Sequence, residues 1–379
     1  MSSSFTTHVV YYEDRKQDLL ADCLVPLARR ARKDYGAEAV FLERHWRFGP
    51  HVRVNVVGAR DDAREKFARD ARPAIEAYLR RVPSRAPLDR AAYLRLSSKL
   101  ASAELVLPPY GPVWPDNTVV VGTYQPRVDL YGEAGAGAKA RFLTGALEPV
   151  ALVLDRTRDD RRARLDHVLR LLVLVAAAYS AEDVAAGTLS FRSHVEDYLT
   201  HEDRDGRVRA AFASKYAELR EALVEVVREV ADDAADGGYR GPDDLLAAWS
   251  ALFRDAERHL TTLTQLHEID ESPTERYYRV ASQVNDEARA RWDFERRRRF
   301  GAFHQSLRGL DFLAERRNVA GFSTYRWIVN LAYLTLPLLD VSPAERYLLT
   351  YLVAHAADEV VGVPWDERLK ALGAAGGAR

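Results

Sequence analysis

Residues 39–58, AVFLERHWRFGPHVRVNVVG, decide how the first third of the chain is read. Two runs rich in β-branched and aromatic residues, 39–46 and 51–57, are split by Gly49-Pro50, a pair that punctuates strands with a turn. In the second run Val52, Val54 and Val56 alternate with His51, Arg53 and Asn55. Successive side chains of a strand point to opposite faces, so the valines share one face and the His/Arg/Asn set the other. Upstream, HVVYY at 8–12 has the composition of another strand. Between Lys16 and Tyr35, apolar residues Leu19, Leu20, Cys23, Leu24 and Leu27 recur at helical spacing. A polar helix predicted over 61–81 completes a strand–helix–strand–strand–helix unit.

Beyond it, PPYGPVWPDN is turn-rich and TVVVGTYQP is strand-like, and after Ala138 the pattern is helical almost throughout. Long helices are predicted at 160–179, 207–236 and 277–299, with DDAADGGYRGPDD at 232–244 as the clearest loop. Helix starts are marked where Ser180 precedes Asp183, Ser272 precedes Pro273 and Glu275, and Ser342 precedes Pro343 and Glu345. Each puts an acceptor at the N-cap and a carboxylate in the first turn, against free N–H groups and the positive dipole end. The expected fold class is α+β, a small N-terminal mixed β-sheet unit (1–130) followed by a large, mainly helical region (131–379).

The chain has 379 residues, 47% of them hydrophobic, enough for a sizeable core and against wholesale disorder. Lys and Arg number 55 against 56 Asp and Glu, a net charge of −1, which argues against a dedicated nucleic-acid binder. A single cysteine, Cys23, excludes a disulfide framework and a Cys-based metal centre. The N-terminal MSSSFTTHVVYYEDRKQ has no basic segment leading into an apolar one, and the longest apolar stretch, 171–179, is about half of a membrane span. The expected location is the cytoplasm.

Common catalytic hardware is missing from the sequence. There is no phosphate loop, no Gly-x-Gly-x-x-Gly after a strand, no HExxH pair and no Gly-x-Ser-x-Gly elbow, so neither metal nor cofactor is expected. YGEAGAGAKARF at 131–142 reads as a loop capping a helix. Three clusters carry candidate chemistry. The first is Arg44, His45, Trp46, Arg47, His51 and Arg53, where two cations on one strand face suit an anionic or carbonyl-rich ligand, or else a solvated face. The second is SFRSHVEDYL at 190–199: Arg192, Ser193 and His194 are read where a loop enters a helix, with N–H groups free for an oxyanion, or as an N-cap beside a surface histidine. The third is STYRWIVNLAY at 323–333. Here Tyr325, Trp327 and Tyr333 are interleaved with apolar residues, and Arg326 and Asn330 are four apart on one helix face. His304 and Ser306 in FHQSLRG are further candidates. The run Arg296–Arg299 reads as a salt-bridged helix face, with an acidic peptide or RNA as the alternative partner.

At these clusters the sequence resembles the glutamate-elimination domain of class I lanthipeptide dehydratases. The segment at 39–58 is similar to that family's FFIRY…GPHLRLR, and TYRWIVNLAYLTLPLLDVSPAERY at 324–347 to its C-terminal segment with an HMxxNR core. The eliminases carry a histidine four residues before the asparagine of that core. Here Arg326 precedes Asn330, and Leu331 follows it. An arginine stays protonated, so it donates hydrogen bonds and stabilises charge but does not serve as a general base. The chain therefore looks more like the divergent branch of thiopeptide pyridine synthases.

That resemblance implies a formal aza four-plus-two cycloaddition of two dehydroalanines in a modified precursor peptide, one reacting as its iminol tautomer. Loss of water and then of the leader peptide leaves a pyridine in a macrocycle. Such a reaction needs two partners held in a near-attack geometry and no cofactor. On this reading Arg192, His194 and Arg53 bind peptide carbonyls or protonate a leaving group, Tyr325 shuttles the iminol proton and Arg326 holds its oxygen. Asn330 joins that catalytic set. Arg44, His51, Ser193, Trp327, Tyr333, His304 and Ser306 line the substrate. The expected partners are the leader-bearing, azole-containing precursor peptide, docked by strand addition at a free edge near 8–12, and other enzymes of the same pathway. Membrane and nucleic acid are not expected. The competing readings are a glutamate-eliminating lyase acting on glutamylated Ser/Thr, a non-catalytic precursor-binding module and a relative of peptide–aminoacyl-tRNA ligases.

Overall fold

The computed structural model describes residues 3–178, 183–235, 238–269, 274–296, 298–308 and 320–376. The chain divides into two compact units. One comprises Met1–Asp159, Pro273–Arg298 and Leu334–Asp340, the other Asp160–Ser272, Arg299–Tyr333 and Val341–Arg379.

The first unit is built on four strands, β1 (Ser3–Val10), β2 (Ala39–His45), β3 (His51–Ala59) and β4 (Thr118–Thr123). Their order is β2-β3-β1-β4, and every neighbouring pair is antiparallel. The expected mixed sheet is thus corrected to a wholly antiparallel one. The β2–β3 turn folds β3 back between β1 and β2, so the two strands that run the same way never pair. The expected free edge near 8–12 is corrected as well. β1 is bonded on both sides, with His8 opposite Arg53 and Val120. Past the strand, Tyr11 and Tyr12 donate their N–H groups to Pro50 O and Asp116 Oδ1. The open edges belong to β2 and β4.

Period two works as expected on β3: Val52, Val54 and Val56 are fully buried on one face. Opposite them in register stand Val9, Thr7 and Phe5 of β1, and Leu42 and Val40 of β2. The helices Val25–Asp34 and Ala63–Arg81 supply the covering residues, Leu27, Phe67, Ile75 and Leu79 among them, and the Phe5 and Phe67 rings meet edge-on at 5.3 Å. Each such residue, fully buried, contributes about 1.5–3 kcal/mol. The helix Arg90–Glu104, capped by Asp89, escaped the sequence reading because Leu94 and Leu96 stand exposed and blur the apolar stripe.

The glycine-bearing stretch at 131–142 is not a loop but part of the helix Val128–Arg156, kinked at Gly132 (φ 69°, ψ 170°). Only a residue without Cβ takes that conformation cheaply, and the Arg276 guanidinium lies 3.0 Å from where a Cβ would stand. The single helix expected at 277–299 is two, Thr274–Val284 and Asp286–Arg291. Asn285 breaks it by leaving helical backbone and capping the second piece, its Oδ1 accepting from Ala288 N at 2.8 Å. Arg296, Arg298 and Arg299 therefore follow a helix end rather than forming a helix face, and Arg297 lies outside the described residues. Arg298 sits 4.4 Å over the Phe294 ring and donates to Arg291 O.

The second unit is helical: Arg161–Ala178, Val184–Glu202, Arg207–Asp233, Asp244–Gln265, Ala302–Arg308, most of Ala320–Thr335, Pro343–Val361 and Trp365–Gly376. The predicted loop at 232–244 holds a short β-pair, Ala234–Ala235 with Gly238–Tyr239. The apolar run of the first helix is its centre, with Leu171 through Ala176 fully buried. The 342–345 capping box forms as expected, Ser342 Oγ accepting from Glu345 N and Glu345 Oε2 from Ser342 N. At 183 the cap is Asp183 itself, accepting from Ala186 N at 2.8 Å. Ser180, Ser272 and Pro273 lie outside the described residues, as does the end of the GAAGGAR tail. Among the described residues no helix is long and apolar enough to cross a membrane.

Candidate functional site

Opposite the valine face of the sheet lies a second face made of Thr6 and His8 from β1, Glu43 and His45 from β2, and His51, Arg53 and Asn55 from β3. It is not solvated: His51 and Asn55 are 0% and 1% exposed. Polar groups taken out of water need partners, and most here have them. Lys139 meets Glu43 at 2.6 Å, Asn55 Nδ2 donates to the other Glu43 oxygen at 2.8 Å, and Thr6 Oγ1 donates to Asn55 Oδ1 at 2.7 Å.

The three histidines can be assigned from their partners. His51 Nδ1 is 2.7 Å from Gly49 O, an acceptor, so it carries the proton. The His51 Nε2 lone pair then faces His8 Nδ1 at 3.1 Å, which must donate. His45 Nδ1 accepts from Arg47 N, so its proton is on Nε2. Burial first and the nearby Arg53 charge second hold His45 and His51 well below the usual imidazole range and His8 at about 4. All three are neutral near pH 7. The Trp114 ring closes the set, 4.9 Å from His8 and 5.5 Å from His51. Arg53 keeps its Nε buried with no hydrogen-bond partner among the described residues. Arg44, expected in the same cluster, points to the other face. It donates to Asp340 Oδ1 at 2.7 Å, Pro337 O at 3.1 Å and Asp14 O at 2.9 Å, a tie within the fold.

The second cluster belongs to the helical unit. SFRSH was expected at a helix entrance. It lies in the middle of Val184–Glu202, where the backbone N–H groups are already bonded, so an oxyanion site at free amides is ruled out there. Arg192 is buried and spends Nη2 on Asp358 Oδ2 at 2.7 Å, with the Trp365 ring 5.6 Å away. Burial pulls its pKa down, Asp358 opposing. Ser193 Oγ and His304 Nε2 are 3.0 Å apart. Ser306 bonds back to Ala302 O and is exposed, apart from that pair.

His194 packs edge-on to the Tyr333 ring at 5.3 Å, and the Arg346 guanidinium lies 4.9 Å over the same tyrosine. Arg346 is also 4.5 Å over Tyr347, which stacks face to face on Tyr198 at 4.1 Å. Since Tyr198 follows His194 by one helical turn, three helices close a loop of stacked groups: His194, Tyr333, Arg346, Tyr347, Tyr198. Burial and then the Arg346 charge hold His194 at about 4, with Asp197 opposing.

On the Ala320–Thr335 helix, Arg326 is half-buried with its guanidinium 5.8 Å over Phe322, Trp327 is half-buried and Asn330 is exposed. Arg326 and Asn330 share a face as the spacing requires, but not inside the core. The Tyr325 hydroxyl is buried and donates to Gly187 O at 2.7 Å. Burial, with Tyr333 adding to it, raises its pKa well above the tyrosine norm, and with its hydroxyl bonded to Gly187 O it ties two helices together.

Sequence reasoning missed Tyr198, Arg346 and Tyr347. Tyr198 was visible as the i+4 neighbour of His194, while Arg346 and Tyr347 sat just inside a helix start and were read only as its boundary. Glu43 and Lys139 were missed because their pairing joins residues far apart in sequence. Among the described residues no three His, Cys, Asp or Glu side chains are placed to hold a metal ion together.

No curated protein matches the chain. The family model described as lantibiotic biosynthesis dehydratase C-term matches residues 5–357. Among solved structures, the chain is similar to a pyridine synthase, TbtD, from thiomuracin biosynthesis, at 26% identity and a TM-score of 0.71, over 95% of this chain and 99% of that one. It is also similar to TsrL, at 20% identity and a TM-score of 0.66, over 98% of this chain and 99% of that one, a likeness of fold alone.

Proposed function

The chain belongs to the lantibiotic dehydratase C-terminal family, and from that premise we propose that it is a pyridine synthase of thiopeptide biosynthesis. The observation that carries this reading is the likeness to the thiomuracin enzyme, which runs over 95% of this chain and 99% of that one. Two dehydroalanines of one precursor peptide react. The iminol tautomer of one supplies a four-atom 2-azadiene, CH2=C–N=C(OH), and the other its alkene. Two C–C bonds form, one at the diene CH2 and one at the iminol carbon, while the nitrogen keeps the bonds it already has. Water leaves, then the leader departs as a carboxamide, and the ring becomes aromatic.

The helical unit suits this chemistry. Its stacked Tyr198, Tyr347, Arg346 and Tyr333 offer flat surfaces to azole rings of the substrate, with Trp327 beside Arg326 on the helix that carries Tyr333. Arg326 and the Ser193–His304 pair supply donors for carbonyl and leaving-group oxygens. Arg192 and Tyr325 serve by fixing the helices that carry these groups, and Asn330 is an exposed donor on the face of Arg326. Holding two reactive groups together is worth several kcal/mol of barrier, without a cofactor. The presence of Arg326, in the place of the eliminases' histidine, weighs against glutamate elimination.

The leader is assigned to the sheet unit, at the outer edge of β4, where Thr118, Val120 and Val121 are half-exposed and the strand is paired on one side alone. Arg53, His51 and the neutral histidines behind them lie under the face next to it. The reading is tested by mass spectrometry of the protein with a leader-bearing, azole-containing peptide that carries two dehydroalanines. Release of the leader carboxamide, with a core lighter by that leader and one water, is expected. A glutamate lost from a glutamylated precursor, with the didehydro peptide untouched, would assign the chain to the eliminases instead.

A further inference from the structure

Three buried polar atoms of the helical unit have no hydrogen-bond partner among the described residues and belong to side chains in contact with one another: Nδ1 of His194, the hydroxyl of Tyr333 and Nε of Arg346. Folded proteins satisfy roughly 90% or more of their buried polar groups, so three exceptions in one place need a reason. Burying them without partners works against folding, and a bound ligand is the ordinary way such groups are satisfied.

We propose that His194 and Tyr333 form a two-point site for a secondary amide of the peptide substrate, with Arg346 as the residue that positions both rings. His194 Nδ1 accepts from the amide N–H, and the Tyr333 hydroxyl donates to the carbonyl oxygen. An amide presents one donor and one acceptor side by side, and the site presents the complementary acceptor and donor. The iminol, the tautomer in which the azadiene reacts, forms when Nδ1 takes the N–H proton and the Tyr333 hydroxyl gives its proton to the carbonyl oxygen, so the two groups stand at the two atoms between which the proton moves. This assignment rests on the chain being an enzyme that acts on a dehydroalanine peptide. Tyr325 is excluded from the role by its bond to Gly187 O, whereas Tyr333, on the same helix, has no such bond.

Nδ1 accepts only while the imidazole is neutral. Around His194 stand Arg346 on the Pro343–Val361 helix, Arg326 and Tyr333 on Ala320–Thr335, His304 on Ala302–Arg308 and Asp197 on its own helix. Burial chiefly, and then Arg346 against Asp197, keep the ring neutral until pH falls to about 4. Arg346 also pulls the Tyr333 pKa down, where its charge opposes the upward push of burial and polarises the hydroxyl toward donation. The rim residues Arg346, Tyr347 and Tyr198 are half-exposed, and their rotation admits the amide to the sealed atoms.

The test measures binding of a leader-bearing didehydroalanine peptide and of its analogue N-methylated at the reacting amide, which has lost the N–H. Wild-type protein is expected to prefer the N–H peptide by on the order of tenfold, the weight of one hydrogen bond to a buried partner. In His194→Ala that preference is expected to vanish while the leader still binds. Where His194→Ala does not fold, Tyr333→Phe, which keeps the ring between Arg346 and His194, is expected to lose about tenfold for both peptides. Equal affinity of wild type for the two peptides, or an unchanged preference in His194→Ala, overturns the site. For Arg346→Gln, NMR of imidazole-labelled protein is expected to show His194 titrating higher than in wild type, and Arg346→Lys restoring it. Identical titrations overturn the positioning role. Binding without turnover would sink the pyridine synthase reading and leave the amide site standing, whereas turnover with no N–H preference would do the reverse.

Discussion

Arg192 donates to Asp358 at 2.7 Å with the two side chains only 6% and 14% exposed, so one of the more conspicuous cations of the sequence is spent inside its own unit. Removing one member of a buried pair leaves the other charge desolvated and uncompensated. Arg192→Ala is therefore expected to lose about 3–5 kcal/mol of stability, measured as a shift of the urea midpoint. An Arg192→Met, Asp358→Leu double variant, with neither charge, is expected to recover much of the loss. Were the single variant as stable as wild type, Arg192 would return to the list of substrate ligands.

The buried histidines of the sheet unit make stability depend on pH. In the unfolded chain an imidazole takes its proton near 6.5, while folded His8 does so at about 4 and His45 and His51 well below the unfolded value. Between those values the unfolded state binds more protons, so stability falls as pH drops from about 6.5 toward 4 and is full above that window. For His8 alone the complete loss is on the order of 3 kcal/mol. Denaturation midpoints at pH 7.5, 5.5 and 4.5 check this. His8→Gln, which cannot titrate, is expected to flatten the slope, and an unchanged slope would remove His8 from the account.

Gly187 lies where the Val184–Glu202 and Arg161–Ala178 helices approach backbone to backbone. A Cβ there would stand 2.1 Å from the Ala176 carbonyl oxygen. Backbone cannot rotate away as a side chain does, so Gly187→Ala forces the helices apart. The expected cost is about 1–3 kcal/mol, together with the neighbouring Tyr325–Gly187 bond. Thermal denaturation against Gly137→Ala, where nothing lies within 4 Å of the added Cβ, separates crowding from helix propensity.

How far these features were legible in sequence follows from their range. Val52, Val54 and Val56 announced β3 because period two is local, and Ser342 with Glu345 announced a helix start because capping is local. The order of strands was not legible, since β1 pairs with β4 across more than a hundred residues and nothing in HVVYY says that both its edges are taken. In the site, His194 and Tyr333 were named individually. What hid their relation is that it runs through Arg346, on a third helix, where a guanidinium between two tyrosines looks in sequence like any surface arginine. SFRSH misled for a related reason. Its Ser, Arg and His read as a cap because these residues favour helix ends, but here packing of Phe191 and Val195 overrides that preference and keeps the segment helical.

Tyr325 and Tyr333 lie on one helix, both buried, and differ in one bond. The Tyr325 hydroxyl donates to Gly187 O, and the Tyr333 hydroxyl has no partner among the described residues. Substituting phenylalanine removes one oxygen from each, so the comparison isolates that bond. Tyr325→Phe leaves a buried carbonyl unsatisfied and is expected to lower stability by about 1–2 kcal/mol, with a smaller effect on turnover per folded molecule. Tyr333→Phe deletes a polar atom that none of the described residues satisfies, so stability is expected to hold or rise slightly while kcat falls on the order of tenfold or more. Chemical denaturation and single-turnover kinetics on the same preparations decide the matter. The opposite pattern, a stable but inactive Tyr325→Phe beside an active Tyr333→Phe, would place the proton-handling hydroxyl at Tyr325 and make its bond to Gly187 a resting state of the enzyme.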